Sequence, residues 1–317
     1  DRGAMAPARA RAPPAALGAA LGLAAWAGAS PPEAGAARIE AGVYQDDPVR
    51  GVPALRRAVG PKGVRVISTY VTAGRLVDPG VLALARRSRA RLMVSWMPDA
   101  GRDGARGPRL RQVARGAQAR GIARLVRQVR GLRPAPILRP MPEPNTPWYA
   151  WSGTRAGNSA AAYRAAWTRV RRVVRGAGGR RVLLLWAPYA RSVPEAPGNA
   201  IADYFPGAGQ IDVVGASGYN FGRAGDLAWT DPDALFEDAY RQVTALAPKP
   251  FWIAETGTTA RGGDPAAWIR RLGRLRATMP ALRGVVWYDV RERAGDFRLA
   301  RRATARAYRA FLARSAR

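Results

Sequence analysis

Residues 136–145 read PILRPMPEPN. The run from Ile137 is apolar but for Arg139 and shows no strict alternation, as in a strand covered on both faces, and it ends where two prolines flank a single acid, Glu143. On one side lies Leu110–Val129 and on the other Ala160–Arg175, both with apolar residues at three- and four-residue spacing, the period of an amphipathic helix. The helix–strand–helix unit is not confined to this stretch. Further runs rich in Val, Ile and Leu stand at Arg38–Tyr44, Val64–Val71, Arg91–Trp96, Arg181–Ala187, Ile211–Ser217, Pro250–Glu255 and Leu282–Tyr288. Helical stretches are read at Pro232–Leu246, Pro265–Ala277 and Leu299–Leu312, the first two opened by Asp-Pro pairs that suit an N-cap before a first-turn proline. With Pro136–Met141 these make eight strands in alternation with helices, which predicts an α/β fold, a single (β/α)8 TIM barrel. An open doubly wound sheet is the alternative, but Tyr44-Gln45-Asp46-Asp47 stands where its glycine-rich phosphate loop would follow the first strand.

The 317 residues include no cysteine and no histidine. Thiolate nucleophiles, disulfides, His-dependent triads and ordinary zinc sites are thereby excluded, so acid/base chemistry falls to Asp, Glu, Tyr or Lys, with no metal or organic cofactor expected. The formal charge is +30, almost entirely arginine, since Lys62 and Lys249 are the only lysines. Arginine used for lysine beside abundant Ala, Gly and Pro fits the coding bias of a GC-rich genome. The arginines are spread over many helices, the pattern of solvated helix faces. Electrostatic association with an anionic cell surface is the alternative, and no nucleic-acid partner is expected.

From Met5 the chain reads MAPARARAPPAALGAALGLAAWAGAS. Arg9 and Arg11 precede a short apolar stretch, Ala15–Ala29, that closes on the small-residue site Ala27-Gly28-Ala29. This is the pattern of a secretory signal peptide. The expected organisation is a signal peptide over 1–29, a linker over 30–37 and a catalytic domain over 38–317, in a secreted, monomeric protein.

Barrel enzymes carry their chemistry at the C-terminal ends of the strands. There the chain offers Ser95-Trp96, Glu143, Tyr219-Asn220, Glu255 and Trp287-Tyr288-Asp289. Glu143 ends the fourth run and Glu255 the seventh, 112 residues later, which sets them across the mouth of a closed eight-stranded barrel. Two converging carboxyls suit glycosidic cleavage, because one can hold a proton while the other stays ionised. The aromatics Trp96, Trp148, Tyr149, Trp151, Tyr219 and Trp287 crowd the same strand ends, and flat sugar faces stack on such rings.

The stretch Ile137–Trp151 resembles the acid/base segment of glycoside hydrolase family 26, Arg-Pro-x-His-Glu-x-Asn followed by Trp-Tyr-x-Trp. Further matches follow in order at Trp186-Ala187-Pro188, Tyr204-Phe205-Pro206-Gly207, Ile211–Gly215, Tyr219-Asn220, Ala254-Glu255-Thr256-Gly257, Trp268-Ile269 and Val285–Tyr288. The resemblance covers about Arg38 to Ala310. It implies a retaining β-glycanase with Glu143 as acid/base and Glu255 as nucleophile. It makes Tyr219 the hydrogen-bond partner of the nucleophile, and Arg139 and Asn145 the residues that shape the acid/base segment. It also makes Trp148 and Trp287 aromatics lining the sugar site. With Trp151 and Trp96, these residues form the expected substrate-binding set. One position departs: the family's His before the acid/base is Pro142 here, which has no side-chain donor and no N–H. The expected activity is endo-acting hydrolysis of a β-linked polysaccharide, β-1,4-mannan first. The alternatives are a β-glucanase or xylanase on the same scaffold, or a barrel that binds carbohydrate or polyanion without cleaving it.

Overall fold

A computed structural model describes residues 38–60, 63–98, 110–224 and 227–314. The expected signal peptide and linker lie outside these residues. Eight strands close into an all-parallel barrel in chain order. They are β1 (Glu40–Tyr44), β2 (Val66–Thr72), β3 (Arg91–Met97), β4 (Ile137–Pro140), β5 (Leu183–Trp186), β6 (Val213–Asn220), β7 (Phe251–Thr258) and β8 (Leu282–Tyr288), and β8 pairs back onto β1. The helices between and after them are α1 (Pro48–Val59), α2 (Pro79–Ser88), α3 (Leu110–Arg115), α4 (Ala119–Val129), α5 (Ala160–Gly176), α6 (Pro232–Leu246), α7 (Pro265–Leu272) and α8 (Arg302–Arg314). The barrel expected from the sequence is the fold observed.

Two expected helices are interrupted. Leu110–Val129 divides into α3 and α4 at Gly116, whose φ of 97° lies in the left-handed region that ends a helix at little cost to glycine. Pro265–Ala277 stops at Leu272, and Gly273 leads into a single 3-10 turn over Leu275–Ala277. Four helices start on an Asp-Pro pair: Asp47, Asp78 and Asp264 accept first-turn N–H groups through their side chains, whereas Asp231 makes no such cap.

The strands alternate between two cores. Inward side chains Val66, Met93, Ile137, Leu185, Val213, Trp252 and Val286 fill the barrel interior. Gly284 leaves room for the Trp252 indole, because a Cβ there would collide with the ring. Outward side chains, including Val43, Ile67, Val94, Trp96, Val214 and Trp287, pack under the helices. This inside–outside parity decides which strand-end residues reach the mouth.

Candidate active site

Parity brings Tyr70 from β2, Ser95 from β3, Arg139 from β4, and Ser217 and Tyr219 from β6 to the mouth. Glu255 arrives there by a different route. Counting by twos from Trp252 would turn Glu255 towards the helices. The β6–β7 register jumps, however, pairing Ala216 with Ile253 and Ser217 with Glu255, so that Ala254 is an extra residue. This bulge returns Glu255 to the same face as Ser217.

Arg139 is the centre of the cluster and is fully buried. Its Nη2 donates to Glu143 Oε1 at 3.1 Å, and its Nη1 donates to Glu255 Oε2 at 3.4 Å. The same guanidinium donates to the hydroxyls of Ser95 and Ser217. One cation therefore serves both buried carboxyls. Burial works to lower its pKa, but Tyr70, Glu255 and Glu143 together hold it above its ordinary value.

Glu255 also receives both nearby phenols: the Tyr70 hydroxyl donates to Oε2 and the Tyr219 hydroxyl to Oε1. Burial, and next the charge of Glu255, push both tyrosines well above their ordinary range, so they remain donors. A group that accepts two phenols and an arginine N–H is matched to the acceptor-only form of a carboxyl. Glu143 is held otherwise. Its backbone sits at φ 55° and that of Met141 at φ 48°, left-handed conformations that cost a non-glycine residue about 1–2 kcal/mol. Each precedes a proline, which disfavours helical-type backbone at that position. The Glu143 N–H donates to Ala187 O, and its carbonyl accepts from Thr146 Oγ1, which fixes the turn. The Tyr149 hydroxyl reaches Glu143 Oε2 at 3.5 Å. Tyr149 stacks on Trp151, whose indole donates to Pro142 O at 2.8 Å. The departing proline is thus tied down by its carbonyl, and a phenol stands beside the acid.

The structure brings together Glu143, Glu255, Arg139 and Tyr219. Trp148 is partly exposed and forms an edge contact with Tyr189, and both line a cavity of about 960 Å³ that reaches the cluster through Tyr219. Four residues of the expected substrate-binding set lie elsewhere. Trp96 and Trp287 point outward: Trp96 belongs to the core beneath the helices, and Trp287 packs on Trp268 and Tyr308 and donates to Phe297 O. Trp151 is enclosed under Tyr149. Asn145 is buried and bonds both the N–H and the carbonyl of Tyr189, tying the β4 and β5 loops together. Trp96, Trp151 and Trp287 correct the expectation of a sugar-lining surface, since each is walled in by the fold, whereas Asn145 ties the turn that carries Glu143 and does not line the mouth. At the β8 end, parity gives the mouth Tyr288 instead of Trp287, stacked on Tyr44 with ring centroids 5.2 Å apart. The residue missed outright is Tyr70. Its signal was available, because it stands two positions beyond Ser68 on the inward face of β2.

No protein-family profile matches the chain. One stretch of 173 residues, 53% of the chain, is 27% identical to endoglucanase H of Acetivibrio thermocellus, and the match spans 19% of that protein's length. In fold the chain is similar to a family 26 β-mannanase from Bacteroides ovatus, at TM-score 0.63 and 18% identity, covering 87% of this chain and 88% of that one. It is similar too to the Bacillus subtilis mannanase BCman, at TM-score 0.58 and 18% identity over 85% and 84% of the two chains. The likeness to these two structures is one of fold and extends over the barrel as a whole.

Proposed function

We propose that the protein is a retaining glycoside hydrolase that cleaves β-linked polysaccharide within the chain, with Glu255 as nucleophile and Glu143 as acid/base. The observation that carries this reading is the shared cation: two buried carboxyls, Glu143 in the turn after β4 and Glu255 on β7, meet a single guanidinium, Arg139, at the C-terminal end of the barrel strands. Support comes from the donors that converge on Glu255, the hydroxyls of Tyr70 and Tyr219 and the guanidinium of Arg139, and from the fold shared with β-mannanases.

In the first step the carboxylate of Glu255 attacks the anomeric carbon while Glu143 gives its proton to the departing glycosidic oxygen. The C–O bond breaks and a glycosyl ester forms. In the second step Glu143 takes a proton from water, the water oxygen attacks the anomeric carbon, and the ester releases Glu255. One negative charge exists at each stage, first on Glu255 and then on Glu143. Arg139 contacts both positions, so the buried site stays neutral without moving a cation.

A β-1,4-mannan is the first substrate to test, and a β-glucan the second, because the similar proteins are named as mannanases and as an endoglucanase. We further propose secretion through residues 1–29. The test is Glu143→Ala and Glu255→Ala against a panel of β-glycans, with the anomer of the first product followed by NMR. Retention in the wild type, with turnover lost in both variants, is expected. An inverted product rejects the covalent step, full activity of either variant removes that residue, and binding of glycans without any release of reducing ends identifies a non-catalytic barrel.

A further inference from the structure

In a closed barrel whose strands follow chain order, position along the sequence becomes position around the wall. Residues 79–194 supply three consecutive strand–helix units, with α2, α3, α4 and α5 on their outer surface. The described part of this segment contains 21 arginines and one carboxylate, Glu143, which is buried at the mouth. The rest of the described chain holds 23 basic residues against 16 acidic ones. The arginines that look dispersed in the sequence therefore gather on one flank of the barrel.

Sixteen of the 21 are exposed. Among the described residues only one of these sixteen, Arg191, forms an ion pair, with Glu195 at 3.7 Å. Coding bias explains why the basic residues are arginine, but it does not explain why the described part of three adjacent units holds no surface acid while surface acids stand elsewhere; the segment's other two carboxylates, Asp99 and Asp103, lie outside the described residues. Mutual repulsion of this density works against folding, which a bound polyanion would relieve.

We propose that this flank, α2 to α5, is a docking surface for an acidic polysaccharide. Three observations select that occupant. Among the described residues from 79 to 194 the only aromatic side chain that is not buried is Trp148, partly exposed at the mouth, so the helical flank offers unpaired bases no stacking platform. Among the described residues the exposed large apolar ones, Val49, Leu76 and Leu227, all lie outside the segment, so its described part offers no side chain to insert into a lipid layer. On α4, Arg120, Arg124 and Arg127 recur at about one helical turn, roughly 5.4 Å, a spacing close to the length of one sugar unit in an extended glycan. The guanidinium fork matches a sugar carboxylate in two parallel hydrogen bonds. The proposal concerns binding alone and stands whether or not the mouth hydrolyses glycans.

The experiment compares the wild type with two fourfold variants in affinity electrophoresis and calorimetry, using polygalacturonate as probe. The flank variant is Arg120→Gln, Arg124→Gln, Arg127→Gln and Arg172→Gln. The control is Arg274→Gln, Arg302→Gln, Arg306→Gln and Arg309→Gln, exposed residues outside the segment with the same loss of charge. Glutamine is as good a helix former as arginine, and circular dichroism checks that both variants fold. The expected result is wild-type binding that weakens steeply with salt, a drop of about tenfold or more in the flank variant at low salt, and a control within about twofold of wild type. Equal losses in both variants overturn the proposal, because net charge alone would then suffice. So does a wild type that ignores polygalacturonate, or one that binds duplex DNA or anionic vesicles more tightly at equal charge concentration.

Discussion

At the scale of single residues, the site depends on what each hydroxyl donates. Tyr70 and Tyr219 each place one phenol on Glu255, and phenylalanine removes the donor while keeping the ring. If Glu255 is the nucleophile, Tyr70→Phe and Tyr219→Phe should each lower kcat by about 10–100-fold, the loss that removal of one hydrogen bond to a charged group brings, with thermal unfolding little changed. Near-normal kcat in either variant would show that its hydroxyl is a structural tie only. Asp289 offers a second test away from the chemistry. Burial raises its pKa, against opposing hydrogen bonds from the Leu299 N–H and Gln45 Nε2. A folded-state pKa above the unfolded one means that the folded protein binds the extra proton. Stability therefore falls as pH rises from the ordinary aspartate value to the raised one. Asp289→Asn removes that slope, and the buried, unpaired Oε1 of Gln45 can accept from the new amide after a flip. Urea unfolding should show the variant gaining on wild type between acid and neutral pH, and parallel curves would refute the assignment. The two carboxyls that meet Arg139 were legible in the sequence because they stand at strand ends within a motif order that resembles a family. Tyr70 was not, because β2 carries no comparable motif and only a count of inward positions would have found it.

At the scale of elements, parity separates residues that look alike in the sequence. Trp148 and Trp287 are both tryptophans near strand ends, yet one borders the cavity and the other is sealed beneath α7 and α8. Trp148→Ala should raise KM for a polymeric substrate about tenfold at near-constant stability, as expected for loss of a stacking surface. Trp287→Phe should leave KM unchanged and lower stability by about 1–3 kcal/mol, through lost packing and the lost bond to Phe297 O. The reverse pattern would mean that β8 is turned one residue from the register observed. Eight strands were readable because buried parallel strands are near-continuous apolar runs, and the same continuity hides which residue faces which way. The bulge at Ala254 shows the limit most clearly: strict alternation would have excluded Glu255, and the family pattern retained it.

At the scale of the whole molecule, a charge of +30 over 317 residues is a standing repulsion that salt should screen. The melting temperature should rise by several degrees between about 20 mM and 300 mM sodium chloride, and the flank variant should show a smaller rise from a higher start. A salt-independent melting temperature would mean that the arginines are already neutralised in the folded state. Fold class was readable at this scale from the count of units, whereas the basic flank was not, because a linear list of arginines has no sides until the barrel closes. The helices of a barrel run alongside its axis, and the mouth with its paired carboxyls lies at one end of that axis. A molecule held by its helical flank would lie on its side, with the opening facing along the matrix and away from the strand that anchors it. It would search in two dimensions, meeting neighbouring chains end-on, and its anchor and its prey would be different polymers in the same layer.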